Sequence, residues 1–399
     1  MMRVNTANQF ERSIETLQLR QQSLAATQEQ ITSGKRVLRP SDDPAAAARA
    51  ERALAQQYRV DADRRGLEAS RQVMVQAESA LGDAVGLMQR VRDLVVQAGS
   101  PIYGESQRSA LVEELRVLRQ QVIDIANRGD GMGGFLFAGQ GAGAAPFVDG
   151  PQGVAFRGTP GEMGAAGASL PLSVDGRATW MNAMSGNGVF VTAPAAGNGD
   201  GAWIDAGRVT DPTALTGTAY SIEFVDDGNG GTVWQVAPAP TSGEPGAGAF
   251  VSGQAIEFDG LAVRVHGKPV AGDRFEITPS ERDLSLFDAL DRTIAGLSAT
   301  GRSGAQVTQS VQTSLRDLDA VIGTLVTVRT RLGGVLEQAD GLDSRLAGER
   351  LAAQTARSAA EDVDLAQAVS EFQARQTSYD AALKAYSMVQ RLSLFEYIR

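Results

Sequence analysis

Residues 361–399 read EDVDLAQAVSEFQARQTSYDAALKAYSMVQRLSLFEYIR. Leu365, Phe372, Tyr379 and Tyr386 recur every seven residues, and Val369 and Leu383 fall on the positions between them. That is the a/d spacing of a coiled-coil helix, free of Gly and Pro, with Glu, Asp, Gln, Arg and Lys on the other faces. One narrow apolar stripe cannot be buried on its own helix, so the stretch requires a partner. The matching pattern lies at the other end of the chain, where Phe10, Leu17, Leu24 and Ile31 are again seven apart and Ile14 takes the alternate position. Gln21 and Gln28 there, like Gln376 and Gln390 near the C-terminus, put polar residues into the stripe, which costs stability and fixes register. The spacing predicts that the two chain ends pair as a coiled coil, in preference to two surface helices on an ordinary core.

The chain has 399 residues, room for two or three domains, with 43% hydrophobic residues and a net charge of -10. The acidic balance argues against a nucleic-acid partner, which calls for a basic face. No apolar run approaches the roughly 20 residues that span a bilayer, so no membrane partner is expected. MMRVNTANQFERSIETLQLR is polar and amphipathic, so no cleaved secretory signal is expected. With no Cys, there is no disulfide, thiol nucleophile or thiolate metal site.

Following the chain, the first helix should end near Gly34, which suits a left-handed C-terminal position. In RPSDDPAAAARA, residues 39–50, Ser41, Asp42 and Asp43 offer N-cap oxygens, Pro44 fits a first helical turn, and Ala45–Ala48 favour helix. Pro40 to Pro44 thus reads as a capped turn into a second helix; the paired aspartates lack a neighbouring His or third carboxylate for a metal or acid–base site. Leu67, Met74, Leu81, Met88 and Val95 form one apolar row, with Ala77, Ala84 and Val91 beside it. After a break at Gly99–Gly104, Leu111, Leu115, Leu118, Val122 and Ile125 return, giving an antiparallel helical hairpin with methionines as core filler. GDGMGGFLFAG, residues 129–139, is no nucleotide loop, because its glycines follow a helix and precede a strand-like FLFAG.

Composition then shifts to Gly, Pro, Thr, Ala and Ser, and Trp180, Trp203 and Trp234 all fall here. GVAFRG, SLPLSV, GVFVTA, AYSIEFV, TVWQVA, AIEFDGLAVRV and DRFEIT read as strands separated by turns. YSIEFV-DDGNGG-TVWQV is a hairpin; Asp226, Asp227 and Asn229 lack the spacing of a calcium loop. The lone histidine, His266, sits in an alternating run and reads as a strand or surface residue. From Pro279 helix resumes with Phe287, Leu290, Ile294 and Leu297. Rows through Val311, Leu318, Leu325, Leu332 and Val307, Val321, Val328, Val335 follow, with Gly333 and Gly334 weakening the helix. The fold class is therefore α+β: an elongated molecule with long antiparallel helical domains built from both termini and a β-rich insert between them. The expected divisions are 1–60 with 345–399 as a terminal-helix assembly domain, 61–160 with 281–344 as a helical rod bearing a β-hairpin, and 161–280 as the insert. No catalytic constellation, metal cluster or cofactor fingerprint stands out, so neither an enzyme nor a cofactor is expected.

Four stretches resemble the flagellin superfamily, and within it the members that join hook to filament. They are QITSGKRVLRPSDDPAAAARA at 30–50, with Gly34, Pro40, Ser41, Asp42, Asp43 and Pro44; FLFAG at 135–139 followed by Pro146-Phe147; GDRFEITPSERDLSLFDAL from Gly272; and the C-terminal helix with LSLF, including Leu392, Leu394 and Phe395. The resemblance covers both ends well and the middle hardly at all. It implies a structural subunit whose terminal helices pack in a helical assembly while the insert faces outward. The implied partners are an upstream hook-associated protein, flagellin, copies of the chain itself in a helical or ring layer, and an export chaperone over the apolar C-terminal stripe. The implied location is the extracellular flagellum, reached unfolded through the type III export apparatus. A filament flagellin is the alternative, against which an AANATNL-like stretch is missing from the last helix. An alternative of another class is a secreted coiled-coil adhesin or effector with a ligand-binding insert.

Overall fold

The computed structural model describes residues 6–164, 170–228, 231–241 and 245–397, with the side chains of 6–10 and 389–397 outside the description. The fold is α+β. Helices α1 (Thr6–Ser33), α2 (Pro44–Ala98) and α3 (Glu105–Ala126) come first. A hairpin of β1 (Phe147–Gly150) and β2 (Gly153–Phe156) and a short α4 (Gly176–Trp180) follow. Then come β3 (Ala183–Met184), β4 (Phe190–Pro194), β5 (Ala202–Ile204), β6 (Arg208–Val209), β7 (Tyr220–Asp226), β8 (Thr232–Ala237), β9 (Ala247–Ala249), β10 (Ala255–Phe258), β11 (Leu261–Gly267), β12 (Arg274–Pro279) and β13 (Arg282–Leu284). Helices α5 (Leu286–Ser298), α6 (Gly304–Glu361) and α7 (Leu365–Tyr397) end the chain. Two compact units result, Met1–Arg65 with Leu342–Arg399, and Gly66–Gly341.

In the unit of residues 66–341, the apolar rows read from sequence become a core. Met74, Leu81, Met88 and Val95 of α2 pack with Leu115 and Val122 of α3, Leu290 of α5, and Leu318, Leu325 and Leu332 of α6. Glu78–Arg329 and Arg92–Asp319, each 2.7 Å, lie along the antiparallel α2 and α6; such exposed pairs help set register more than they stabilise. Gly333 and Gly334 do not interrupt α6. At one end of this core Phe137 meets Trp180 edge-on with ring centroids 5.2 Å apart, and Phe147 packs on Phe287 at 5.4 Å.

Two expected strands are not strands. In FLFAG, Phe135 and Gly139 make single bridges to Gly129 and Thr159, while Leu136 and Phe137 are fully buried. In SLPLSV, Leu170 and Val174 are likewise buried, and Asp175 caps α4 by accepting from the Ala178 N–H. Both runs are apolar because they plug a helical core, and a short apolar run carries no period that separates this from strand pairing.

The β module holds a five-stranded antiparallel sheet in the order β4-β12-β7-β8-β9, and a second sheet β10-β11-β5 with β6 also on β11. AIEFDGLAVRV divides into β10 and β11 at Asp259-Gly260, both with positive φ. Asp259 is buried, and its carboxylate accepts from Tyr220 Oη at 2.6 Å and from the Thr241 N–H. The β7–β8 hairpin forms, with Asp226 and Asp227 accepting from the N–H groups of Gly228 and Gly231 inside the turn; Asn229 lies outside the described residues. His266 stacks on Trp203 of the neighbouring strand at 4.3 Å. A second core, including Ile222, Phe224, Phe258, Val263 and Phe275, draws only on residues between Phe190 and Ile277. Val174, Trp180 and Ala183 belong to the helical core instead, so the 161–280 stretch does not share one core.

Candidate assembly interface

In the unit formed by the chain ends, α1 and α7 run antiparallel and pack on one another. Arg20 Nη1 donates to the Ser378 carbonyl at 2.8 Å, and Arg375 Nη1 to the Ser23 carbonyl at 3.1 Å, which fixes the register from both sides. Ile14, Leu17, Leu24 and Ile31 on α1, and Phe372, Tyr379 and Tyr386 on α7, are half-buried along this contact. The row beside Phe372 and Tyr379 is not the expected Val369 and Leu383. It is Ala368, 5% exposed, and half-buried Ala382, with Arg375 between them. Leu365, Val369 and Leu383 stay 55%, 43% and 42% exposed, and Met388 on the same helix 63%. On α1, Thr27 is buried, its hydroxyl satisfied by the Ser23 carbonyl at 2.9 Å, and Leu19 is exposed. The side chains of Phe10, Leu392, Leu394 and Phe395 lie outside the described residues.

The two helix-to-helix corners of this unit are laced together. Gly34 adopts φ 70°, and Lys35 bridges Asp362. The Arg36 N–H donates to the Glu361 carbonyl at 2.7 Å and the Val363 N–H to the Gly34 carbonyl at 3.0 Å. Glu361 pairs with Lys35 at 3.2 Å and Arg357 at 2.8 Å, and Arg36 Nη2 reaches the Ala360 carbonyl at 3.0 Å. The aspartates divide the labour. Asp42 accepts from the N–H groups of Leu38 and Arg39 at 3.1 and 2.8 Å and closes the loop. Asp43 caps α2, accepting from the Ala46 N–H at 2.9 Å, and pairs with Arg36 at 3.2 Å. The Ala46 N–H and then Arg36 hold the Asp43 carboxyl below the usual carboxylate range. Pro44 opens α2, whereas Pro40 and Ser41 are exposed; capping falls to Asp43 rather than Ser41. Asp364 caps α7 through the Ala366 and Gln367 N–H groups, so the α6–α7 break that sequence periodicity passed over is built like the α1–α2 one.

Beyond the corners, Ala46, Ala50, Ala53 and Val60 of α2 are buried, as are Leu346, Ala353 and Ala360 of α6. Asp61–Arg350 and Arg64–Asp343, at 3.1 and 3.0 Å, accompany them. Neither apolar core cluster takes a described residue from this unit. Among the described residues no group of three metal-ligating side chains occurs, and no helix is long and apolar enough to cross a membrane. The chemistry of the unit is that of helix pairing: apolar flanks, capped corners and paired charges.

The bacterial flagellin N-terminal helical region matches residues 4–142 and the bacterial flagellin C-terminal helical region residues 315–398. Between them, residues 193–279 match the D2-like domain of flagellar hook-associated protein 1. The chain belongs to the flagellin superfamily. Within it, the likeness to flagellar hook-associated protein 3 runs end to end. The chain is 24% identical to that protein of Escherichia coli over 400 residues, 99% of each chain. Polar flagellin F of Vibrio parahaemolyticus is 31% identical over 103 residues, only 26% of this chain and 27% of that one. Among solved structures, the flagellar junction protein FlgL from Legionella pneumophila is 25% identical with a TM-score of 0.68, covering 79% of this chain and 100% of that one.

Proposed function

We propose that this chain is the structural subunit that joins hook to filament in a bacterial flagellum. The observation that carries the reading is the alignment to hook-associated protein 3 along the whole chain, whereas polar flagellin F aligns over only about a quarter of it. Its neighbours are an upstream hook-associated protein on one side and flagellin on the other, with copies of itself completing the layer. Both contacts are non-enzymatic and use the terminal helices. The half-buried rows hold α1 to α7, and the exposed flank of Leu365, Val369 and Leu383 packs on neighbouring subunits through head-to-tail contacts. The divisions proposed are the assembly domain of 1–60 and 345–399, the helical rod, and an outward insert. Export proceeds unfolded through the flagellar type III apparatus, with a chaperone over the apolar α7 stripe until release. Immunogold electron microscopy of intact flagella with antibody against residues 190–277 tests the reading. A single band where hook meets filament is expected; label along the whole filament would make the chain a flagellin.

A further inference from the structure

We infer that Arg316 on α6 is a positioning residue: a latch that sets how the β module is mounted on the helical body and that can release without unfolding either. The inference concerns the chain by itself and does not rest on its place in the flagellum. The two apolar cores of residues 66–341 share no residue, so no single buried apolar core spans module and body. Two chain crossings join them, tied to each other by the Ser185 N–H to the Glu281 carbonyl at 2.9 Å and the Ser280 N–H to the Val189 carbonyl at 3.0 Å. Polar contacts also cross the joint. Ser303 caps α6, with a reciprocal Gln306 contact, and its hydroxyl donates to the Asp200 carbonyl at 2.6 Å. Gln309 Oε1 accepts from the buried Ile204 N–H at 2.8 Å. A cavity of about 360 Å³ lies at the joint, lined by Asn198, Arg302, Gln309, Ser310 and Asp317 among others.

Arg316 holds the centre. Its side chain is 10% exposed. Nη1 donates to the Thr192 carbonyl of β4 at 2.9 Å, while Nε and Nη2 both reach Asp317 Oδ1 at 3.2 Å. Asp317, 5% exposed, is braced by Arg292 of α5 at 3.2 Å. A charge chain therefore runs from α5 through α6 to a strand of the module. A planar guanidinium serves a carbonyl and a carboxylate together; an ammonium cannot hold that geometry. Removing it strands a buried carbonyl and weakens the neutralisation of Asp317. With separate cores on either side, the loss is expected to free the joint, and the module turns as a body.

The chain has no Cys, so labels can be placed at will. Nitroxides on Val117→Cys in α3 and Val251→Cys in the module, 58% and 57% exposed in the parent, report the mount by double electron–electron resonance on the full chain. The parent is expected to give one narrow distance. Arg316→Ala broadens it, Arg316→Lys recovers part of the narrow distribution, and Asp317→Asn, which leaves the latch unbraced, broadens it as well. Amide exchange at Ile204 rises at least about tenfold in Arg316→Ala, while Ile222 and Phe224 in the module core keep their protection. A distribution that stays narrow in Arg316→Ala and Asp317→Asn overturns the inference. So does broadening accompanied by lost protection at Ile222 and Phe224, because Arg316 would then belong to the fold of the module.

Discussion

Asp43 combines two roles that mutation separates. It caps α2 through the Ala46 N–H and pairs with Arg36, and both favour its charged form. Because its folded pKa is lowered, its contribution is present above the unfolded value and is lost as pH falls through the folded one, that is, below about 4. Asp43→Asn is expected to keep the cap and lose the ion pair, leaving Ala46 amide protection largely intact; Asp43→Ala is expected to lose both, with protection at Ala46 and Ala47 falling together. Hydrogen exchange at those amides between pH 7 and pH 3 reads the difference, and equal protection in the two variants would mean that the cap is not what orders the corner. Gly34 offers a cleaner case. Its φ is 70° and nothing lies within 4 Å of where a Cβ would sit. Gly34→Ala should cost about 1 kcal/mol from backbone strain alone, and Gly34→Asn less, in urea unfolding monitored at the corner.

At the scale of elements, Arg119 of α3 ties two others. It pairs with Asp149 of β1 at 2.6 Å and with Asp291 of α5 at 2.5 Å, and its own side chain is 14% exposed. The guanidinium holds the Asp149 carboxyl below its ordinary range. Arg119→Ala is expected to destabilise the 66–341 unit by about 1 to 2 kcal/mol, a figure kept low because both carboxylates are partly solvated. The loss should shrink in acid as Asp149 protonates, and a pH-independent loss would point to packing of the arginine stem instead.

The helical elements were legible because seven-residue apolar rows become core in α2, α3 and α6 and a half-buried contact in α1 and α7. What the rows concealed was which flank of α7 faces α1: Ala368, Arg375 and Ala382 carry little hydrophobic signal, yet small size and a long arm suit them to a close contact. The polar stripe Ser303, Gln306, Gln309 and Arg316 was invisible for a related reason, since polar residues between apolar rows read as solvent-facing until a β module is found against them. FLFAG and SLPLSV failed as strands because apolar content marks burial, not pairing. The flank exposed on α7 gives a test of the assembly reading. Val369→Gln with Leu383→Gln should leave the helicity of the free chain unchanged and abolish incorporation into flagella, whereas Phe372→Ala with Tyr379→Ala should lower both, with residues 66–341 still folded. Normal filament growth in either double mutant counts against the interface proposed.

Taken as a whole, the molecule distributes stability unequally between its two units. Residues 66–341 hold both apolar cores, with more than a dozen side chains wholly removed from solvent. In the unit of the chain ends, α1 and α7 bury Thr27 and Ala368 among their described residues, and the rest of their contact is half-exposed. Helices paired so thinly gain little over isolated ones, which are marginal in water, and their backbone hydrogen bonds open without disturbing a core. In the free chain, amides of residues 14–31 and 368–386 should therefore exchange roughly a hundredfold or more faster than those of residues 74–95, a gap of about 3 kcal/mol in opening free energy. If the proposed interface holds, the exposed flank of Leu365, Val369 and Leu383 acquires partners on assembly, and the gap should close. Hydrogen–deuterium exchange on the free chain and on isolated flagella makes the comparison. Termini already as protected as α2 in the free chain would mean that the α1–α7 contact and the laced corners suffice by themselves, and that assembly adds neighbours to a unit already folded rather than completing it.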